Sequence, residues 1–174
     1  MKRKIEIFPV RPIGARALKS AIDTLRPEII QSNILDLFCG QGRFALAAAK
    51  AGAHSITAVD SNASLIKIIS NQATKQKLPL SAITSDVHEY LRKASKAGGK
   101  FHVIFADPPF PLWTTNFENE LFNAVSGVAL SEAIFLVKAP KAMIAFGPRT
   151  QWKLIRTTVF GESQLIYYRY DEPT

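Results

Sequence analysis

Apolar residues follow two alternating periods along most of this chain. From residue 33 to residue 138, short apolar runs of strand length alternate with longer segments in which apolar residues recur every three or four positions. The short runs indicate buried strands, and the recurring positions indicate amphipathic helices. Strands that alternate with helices at this spacing predict βαβ units and therefore a parallel sheet.

Glycine, proline and the apolar period set the boundaries of these elements. Pro27 indicates that the first helix kinks or ends early, and Ile68 is expected to face inward from a later helix. The predicted helices span residues 15–30, 43–51, 62–77, 87–97 and 116–126, and the predicted strands before residue 140 span residues 33–38, 55–59, 80–84, 101–106 and 133–138.

The last part of the chain has a different pattern. Residues 152–160 and 164–170 are strand-like, and Gly161-Glu162-Ser163 joins them. Two strand-like runs joined by a short glycine-containing turn predict a hairpin, hence an antiparallel pair. The whole pattern therefore predicts an α/β fold of the Rossmann-like type, with a doubly wound, mostly parallel, seven-stranded sheet that finishes in an antiparallel hairpin.

Length and composition favour one globular domain. The chain has 174 residues, 47% of them hydrophobic, which is enough for a sizeable core. We expect a single domain over residues 1–174: a basic tail and leading loop at 1–14, a first helix at 15–30 and a sheet core at 33–170. No apolar run approaches the ~20 residues that span a bilayer. The single cysteine rules out an internal disulfide and fits a reducing cytoplasm, so we expect a cytoplasmic protein. We also expect no membrane partner and a monomer.

Positive charge narrows the class of partner. Lysine and arginine number 22 against 14 acidic residues, which gives a formal net charge of +8. This excess favours a polyanionic partner, most commonly nucleic acid, although a solubilising surface is the alternative. Arg11 and Arg16, at the start of the first helix, are candidates for gripping phosphates or covering a ligand. A solvated helix face is the alternative for both.

One predicted strand ends in a rigid, acidic corner. The run 101–106, which is nearly all apolar, is followed by Asp107, Pro108, Pro109 and Phe110. Proline lacks an N–H and restricts the residue before it, so strand pairing must stop there. Open α/β sheets bind ligands at the carboxyl ends of their strands. The corner offers a carboxylate, backbone carbonyls and a flat ring, which suit a planar group that carries an exocyclic amine. An ordinary turn and a core ring are the alternatives.

A glycine-containing loop follows the first core strand. It reads Asp36-Leu37-Phe38-Cys39-Gly40-Gln41-Gly42 and opens a helix. Glycine lets the backbone turn tightly and approach a ligand closely. An acid before the glycines suits a cationic ligand better than a pyrophosphate. Acids also follow the next two strands, Asp60 for ribose hydroxyls and Asp86 for an adenine amine, with helix capping as the alternative. The predicted cofactor-binding residues are Asp36, Phe38, Gly40, Gly42, Asp60, Ser61, Asp86 and Val87.

With the loop and the corner together, the chain resembles the RsmD family of bacterial 16S ribosomal RNA guanine-N2 methyltransferases. The resemblance extends from residue 11 to residue 170. Arg11-Pro12 with Arg16 is similar to the family's Arg-Pro opening, residues 36–42 to its glycine loop, residues 107–110 to its Asp-Pro-Pro-Phe motif, and residues 161–170 to its closing hairpin. Many methyltransferases share the glycine loop. The Asp-Pro-Pro-Phe motif marks those that methylate exocyclic amines, and only the Arg-Pro opening points to this family in particular.

The resemblance implies a cofactor, a substrate and a set of site residues. The cofactor would be S-adenosylmethionine, and the partner would be ribosomal RNA, the small ribosomal subunit or an assembly intermediate. Trp113 is a candidate base platform or lid, with a core anchor as the alternative. No metal is expected, because the histidines have no metal-binding spacing. The predicted catalytic residues are Asp107, Pro108, Pro109 and Phe110, and the predicted RNA contacts are Arg11, Arg16 and Trp113.

Other functions stay open from the sequence. An adenine-N6 methyltransferase or a small-molecule amine methyltransferase could use the same corner, although the positive charge argues against a small molecule. A non-catalytic RNA-binding protein on the same fold is the alternative from another class, and the intact loop and corner argue against it. A dinucleotide oxidoreductase is disfavoured by Ala45, which occupies the third glycine position of that fingerprint, and by the terminal hairpin.

Overall fold

Five α-helices and seven strands make up the part of the chain that the computed structural model describes, residues 12–143 and 151–172. The elements in chain order are α1 (Ala15–Ile29), β1 (Asn33–Leu37), α2 (Arg43–Lys50), β2 (Ser55–Asp60), α3 (Ala63–Gln76), β3 (Leu80–Thr84), α4 (Val87–Lys96), β4 (Phe101–Ala106), a 3₁₀ turn (Phe110–Leu112), α5 (Thr115–Ser126), β5 (Ala129–Pro140), β6 (Trp152–Phe160) and β7 (Ser163–Tyr170).

All seven strands join one sheet in the order β3-β2-β1-β4-β5-β7-β6. The pairs among β1 to β5 are parallel, whereas β7 is antiparallel to both β5 and β6. The predicted fold class, a mostly parallel sheet that finishes in an antiparallel hairpin, is therefore confirmed. The order reverses between β1 and β4, so the helices that follow these two strands lie on opposite faces of the sheet. The crevice outside the carboxyl ends at such a reversal is the usual binding place in open α/β sheets.

Helices cover both faces of the sheet, as buried parallel strands require. One core cluster joins α1, α2 and α3 to the inward side chains of the strands, and a second joins α4 and α5 to the opposite face. Phe44 of α2 stacks on Phe105 of β4 with ring centroids 4.3 Å apart. Because this stack lies directly under the crevice, the start of α2 is fixed against the central strand.

Three sequence expectations need correction. Helix α1 continues to Ile29, past Pro27, so that proline does not end the helix early; Leu25 and Ile29 are buried on either side of it and hold the last turn on the sheet. Ile68 faces outward, with 52% of its surface exposed, because the buried stripe of α3 runs through Ile66 and Ile69 instead. Strand β5 is longer than residues 133–138.

The early start of β5 was hidden by its polar residues. Glu132 has a left-handed backbone with φ 63°, and the pairing of β5 with β4 shifts register between Phe101 and Val103. A bulge of this kind interrupts the apolar alternation on which strand prediction relies. The prediction therefore found only the regular half of the strand.

Strand β6 forms one edge of the sheet and pairs only with β7 among the described residues. Its outward side chains include Leu154, Ile155 and Val159, which are 41%, 49% and 51% exposed. The register shifts between Leu154 and Arg156, so Ile155 occupies an irregularity in the edge. No helix in residues 12–143 or 151–172 is both long enough and apolar enough to cross a membrane.

Candidate functional site

A cavity of ≈ 760 Å³ opens at the edge of the sheet where the parallel strands end. Its size is in the range of small-molecule and cofactor sites. The glycine loop after β1, the residues that follow β2 and the corner after β4 form its wall. The predicted residues that line it are Asp36, Phe38, Gly40, Asp60, Ser61, Asp107, Pro108, Pro109 and Phe110. The structure thus brings the predicted cofactor loop and the predicted catalytic corner to one cavity.

Two carboxylates hold the glycine loop in place. The Gly40 N–H donates to Asp60 Oδ2 at 2.9 Å, and the Ala45 N–H at the start of α2 donates to Asp36 Oδ2 at 3.0 Å. Gly42, which precedes α2, has no side chain to cap that helix, so Asp36 serves this purpose from the neighbouring strand. The loop is therefore fixed at both ends by acids that also line the cavity.

The loop has an unusual backbone as well. Phe38 and Gly40 have positive φ values of 55° and 52°, and Gly42 has φ 68°. A positive φ is uncommon for a residue with a side chain, and such residues concentrate at functional sites. A Cβ on Gly42 would also lie 2.9 Å from the side chain of Ile69. Gly42 is outside the cavity lining, and its role is to let α3 approach the loop.

Asp36 combines complete burial with an unused acceptor. Its side chain is 1% exposed, and Oδ1 has no hydrogen-bond partner among the described residues. Burial raises the pKa of Asp36 well above its usual value, the Ala45 N–H opposes that rise, and the nearby Asp107 and Asp60 add to it. A cationic ligand in the cavity would offset the cost of burying a charged Asp36, so the carboxylates of the cavity fit a positively charged cofactor.

We expect the free energy of unfolding of the wild type to fall as pH rises through the titration of Asp36, and Asp36→Asn to remove this fall. The unfolded state releases the Asp36 proton near pH 4, whereas the folded state holds it to a higher pH. The free energy of unfolding therefore falls as pH rises through that window and stays reduced above it. Asparagine keeps an acceptor for Ala45 but has no charge. Urea denaturation of both proteins between pH 4 and pH 8 should show a flatter curve for Asp36→Asn.

Asp23 supplies the matched control for that measurement. It is exposed on α1 and its pKa is lowered, first by the hydrogen bond from Lys19. Asp23→Asn should therefore lose a small stabilisation that is present above the unfolded pKa and disappears as pH falls, the opposite sign to Asp36→Asn. If the curves of Asp36→Asn and the wild type stay parallel, Asp36 is already ionised in the folded protein at little cost.

The corner after β4 is held by an ion pair that the sequence analysis missed. Lys138 lies beside Asp107, because Val137 of β5 pairs with Ala106 of β4. Lys138 Nζ donates to Asp107 Oδ1 at 2.7 Å and to Oδ2 at 3.0 Å. Burial raises the pKa of Asp107 and Lys138 opposes that rise, with a net upward shift. The same ammonium is 5.4 Å from the centre of the Phe110 ring.

Two cations therefore belong to the site and were not among the predicted residues. Lys138 lines the cavity, and its position at the end of an apolar run was the signal that could have identified it. Arg43 also lines the cavity and donates to the Ile13 carbonyl at 2.9 Å, which fixes the segment before α1 against the start of α2. The separation of Arg43 and Ile13 along the chain gave no sequence signal for this contact.

Besides Gly42, four predicted contacts among the described residues lie away from the cavity lining. Asp86 is exposed and caps α4 by accepting from the Glu89 N–H at 3.0 Å, and Val87 is buried behind it. Arg16 is exposed on the first turn of α1. Trp113 packs edge-on against Phe117, with centroids 5.7 Å apart, in the second core cluster. Their predicted roles in binding adenine or RNA stay predictions, and Arg11 lies outside the described residues.

Cys39 occupies the loop as a small buried residue. Burial raises the pKa of its thiol, and the nearby Asp36 and Asp60 raise it further. A thiol with a raised pKa is a poor nucleophile, because the thiolate is the reactive form. Cys39 therefore contributes packing to the loop rather than covalent chemistry.

The comparison with protein families gives a match over nearly the whole chain. The family model described as "Conserved hypothetical protein 95" matches residues 1–169. Among curated proteins, a stretch of 79 residues is 34% identical to "Ribosomal RNA large subunit methyltransferase I" of Tolumonas auensis, and covers 44% of this chain and 20% of that protein.

A second curated relative matches a longer stretch. Over 110 residues the chain is 30% identical to "Putative protein N5-glutamine methyltransferase" of Methanocaldococcus jannaschii, covering 63% of this chain and 50% of that protein. The matched segments thus span between a fifth and a half of the length of these curated relatives.

Solved structures share the fold over most of the chain. A protein of Escherichia coli described as "Putative methyltransferase" superposes with a TM-score of 0.81 at 22% identity, over 95% of this chain and 90% of that one. A T. thermophilus 16S rRNA N2 methyltransferase in complex with AdoMet and guanosine superposes with a TM-score of 0.71 at 19% identity, over 97% of this chain and 45% of that one.

Proposed function

The chain belongs to the family described as Conserved hypothetical protein 95, which is the RsmD methyltransferase family that its motifs resemble, and we propose that it methylates an exocyclic amine of a nucleobase in RNA. The proposed target is the N2 amine of a guanine in 16S ribosomal RNA. One observation carries this proposal. A single cavity is lined by the acid-clamped glycine loop on one side and by the residues from Asp107 to Phe110 on the other. A cofactor on the loop and an amine at the corner would meet in it.

The carboxylates and the glycine loop of the cavity fit S-adenosylmethionine. Asp36 and Asp60 present carboxylates, and Gly40 allows close approach of a ligand to the backbone. When bound, this cofactor supplies a methyl group on a positively charged sulfur and leaves as a neutral thioether. Asp60 would accept from ribose hydroxyls, and Asp36 would compensate positive charge. Phe38 and Ser61 line the same cavity and complete the proposed cofactor contacts there. Gly42, Asp86 and Val87 lie outside that lining, and their predicted contacts with the cofactor stay predictions.

At the corner, Asp107 and Pro108 would hold the amine. An aromatic amine is a weak nucleophile because its lone pair is delocalised into the ring. Hydrogen bonds from the amine to the Asp107 carboxylate and the Pro108 carbonyl favour a more tetrahedral nitrogen, whose lone pair can attack the methyl group. Catalysis then comes from position and electrostatics. The nitrogen gains a methyl group and releases one proton to Asp107 or water.

An aromatic ring and positive charge support a nucleic-acid substrate. Phe110 is half-buried on the cavity wall, where it can stack on a base, and such stacking contributes about 1–3 kcal/mol. Extruding a base from a duplex costs a few kcal/mol, so an unpaired loop or end is the easier target. The net charge of +8 supports attraction to phosphates, with Arg11, Arg16 and Trp113 as proposed contacts.

Guanine N2 is favoured by the fold neighbour that holds guanosine and AdoMet and is named for N2 methylation. Adenine N6 is the second candidate, because the same corner would accept any exocyclic amine. We further propose a single-domain, cytoplasmic monomer whose partner is ribosomal RNA or the small subunit. The joining of all seven described strands in one sheet supports the single domain.

Mass mapping of modified nucleosides tests the proposal directly. RNA from cells with and without this gene should differ by one N2-methylguanosine in 16S ribosomal RNA. Wild-type protein should restore that nucleoside, and a variant changed at Asp107 should not. Loss of an N6-methyladenosine would replace guanine with adenine as the substrate. Unchanged nucleosides, together with no S-adenosylmethionine binding by calorimetry, would replace the enzyme with a non-catalytic scaffold.

A further inference from the structure

Lys138 is a buried cation, and among the described residues its ammonium contacts two side chains of the proposed substrate corner. Its side chain is 8% exposed and that of Asp107 is 14% exposed. The ammonium is within hydrogen-bond distance of both Asp107 oxygens and 5.4 Å from the centre of the Phe110 ring. One side chain from β5 therefore contacts the acceptor and the stacking ring of the corner.

Packing alone does not account for a lysine at this position. Residues 133–137, directly before it in β5, are apolar and buried, and an apolar side chain would continue that pattern. A buried ion pair adds little net stability over well-packed apolar residues, because removing two charges from water costs several kcal/mol per ion. The pair also faces an open cavity rather than a closed core. These observations point to a role in what the cavity binds.

Asp107 needs a partner because of its other neighbours. Burial raises the pKa of Asp107 and so favours its neutral form, and the charge of Asp107 in turn raises the pKa of Asp36 at the end of the neighbouring strand β1. The remaining charged groups of the cavity wall are Asp60 after β2, Arg43 of α2 and Glu162 of the β6–β7 turn. Among the described residues, only Lys138 is a cation in contact with the Asp107 carboxylate.

We propose that Lys138 is a positioning residue for the amine methylation proposed above: its ammonium keeps Asp107 charged, directs that carboxylate to the cavity and holds the Phe110 ring beside it. A carboxylate has about four lone-pair sites, so the two contacts from Lys138 leave room for the substrate amine. A protonated Asp107 would lose acceptor capacity and would bind the amine less well. The inference thus depends on the proposed function for its substrate, but the ion pair can be tested without one.

The variants Lys138→Met, Lys138→Gln and Lys138→Arg separate charge from shape. Methionine keeps the stem and removes the ammonium, glutamine keeps a polar tip, and arginine keeps the positive charge and can pair with a carboxylate. Lys75→Met is the matched control. Lys75 is exposed in the last turn of α3, at the amino ends of the parallel strands, whereas the cavity lies at their carboxyl ends. Circular dichroism establishes which variants fold, and Lys138→Gln replaces Lys138→Met if the latter does not.

The first measurement is the carboxylate ¹³C titration of Asp107 by NMR, without cofactor or RNA. We expect its midpoint to move to higher pH in Lys138→Met and Lys138→Gln, and to stay close to the wild type in Lys138→Arg and Lys75→Met. An unchanged midpoint in the folded, uncharged variants overturns the inference, whatever the activity of the protein. This outcome would mean that Asp107 keeps its charge without Lys138.

The second measurement is kcat/KM against pH with RNA and S-adenosylmethionine. The acid limb should move to higher pH in Lys138→Met, and kcat/KM at neutral pH should fall about 10²-fold, as expected for a misplaced catalytic group. Lys138→Arg should restore the acid limb. If kcat/KM falls in Lys138→Met but the acid limb of its pH profile stays at the wild-type position, the inference is overturned. If the wild type methylates no RNA, the proposed function fails, and the NMR midpoint alone still judges the ion pair.

Discussion

Replacing Asp107 with asparagine should lower kcat for methyl transfer by about 10²–10³-fold, the range seen when one electrostatic contact to a transition state is removed. The amide loses the negative charge that holds the amine and compensates the positive charge developing on its nitrogen. S-Adenosylmethionine affinity should stay near the wild-type value, because the glycine loop and Asp60 are untouched. Single-turnover kinetics with RNA and calorimetry with the cofactor measure the two effects separately.

Asp107→Ala provides a second comparison, with a different expected cost. It leaves Lys138 buried without its carboxylate, and breaking a buried pair in this way typically costs about 3–5 kcal/mol of stability. The double variant Asp107→Ala/Lys138→Met should recover much of that stability and none of the activity. Wild-type turnover in either folded Asp107 variant, or lost cofactor affinity with retained turnover, would remove Asp107 from the proposed reaction.

Replacing Asp60 with alanine should weaken S-adenosylmethionine binding by about 10²-fold, since each hydrogen bond to a charged group contributes about 1.5–3 kcal/mol and about 1.4 kcal/mol is tenfold in affinity. Asp60 Oδ2 accepts from Gly40 and Oδ1 accepts from the Asn62 N–H at 2.9 Å. The variant removes the support of the loop as well as the acceptor for the ribose. Calorimetric titration with the cofactor gives the dissociation constant.

Two further variants show whether the loss of cofactor affinity is specific to the Asp60 carboxylate. Asp60→Asn keeps an acceptor oxygen for Gly40, so its loss of affinity should be smaller. Asp171→Ala is the control, because Asp171 is an exposed acid that pairs with Lys153 beyond the end of β7. Equal affinities for Asp60→Ala and the wild type would show that the cavity beside Gly40 is not the cofactor site. Asp86→Ala, measured in parallel, tests the adenine contact predicted from the sequence.

The sequence was informative wherever a residue's role depends on its own strand or loop. The strand 101–106 is apolar except for His102, and two prolines follow it closely, so its end and the corner beyond it were predictable. The glycine loop was equally visible, because Gly40 and Gly42 follow a buried strand directly. The sheet order places both at one edge, and the alternation of strands with helices was enough to predict that edge.

The contacts that were missed join residues far apart in sequence. Lys138 pairs with Asp107 only because β5 lies next to β4 in a particular register, and no local pattern specifies that register. The contact from Arg43 to the Ile13 carbonyl likewise depends on the path of the chain before α1. Ile68 was misplaced for a different reason: the apolar residues of α3 are spread around the helix, so their period left the buried stripe ambiguous.

The exposed edge strand β6 affects whether this protein associates with itself at high concentration. An edge strand with open N–H and C=O groups and apolar side chains can pair with the same strand of another molecule. Lys153 and Arg156 flank the exposed Leu154 and Ile155, and the shifted register makes this edge a poor template for regular ladder growth. The shifted register would therefore discourage fibrous stacking through this strand, while the strand keeps its exposed apolar side chains.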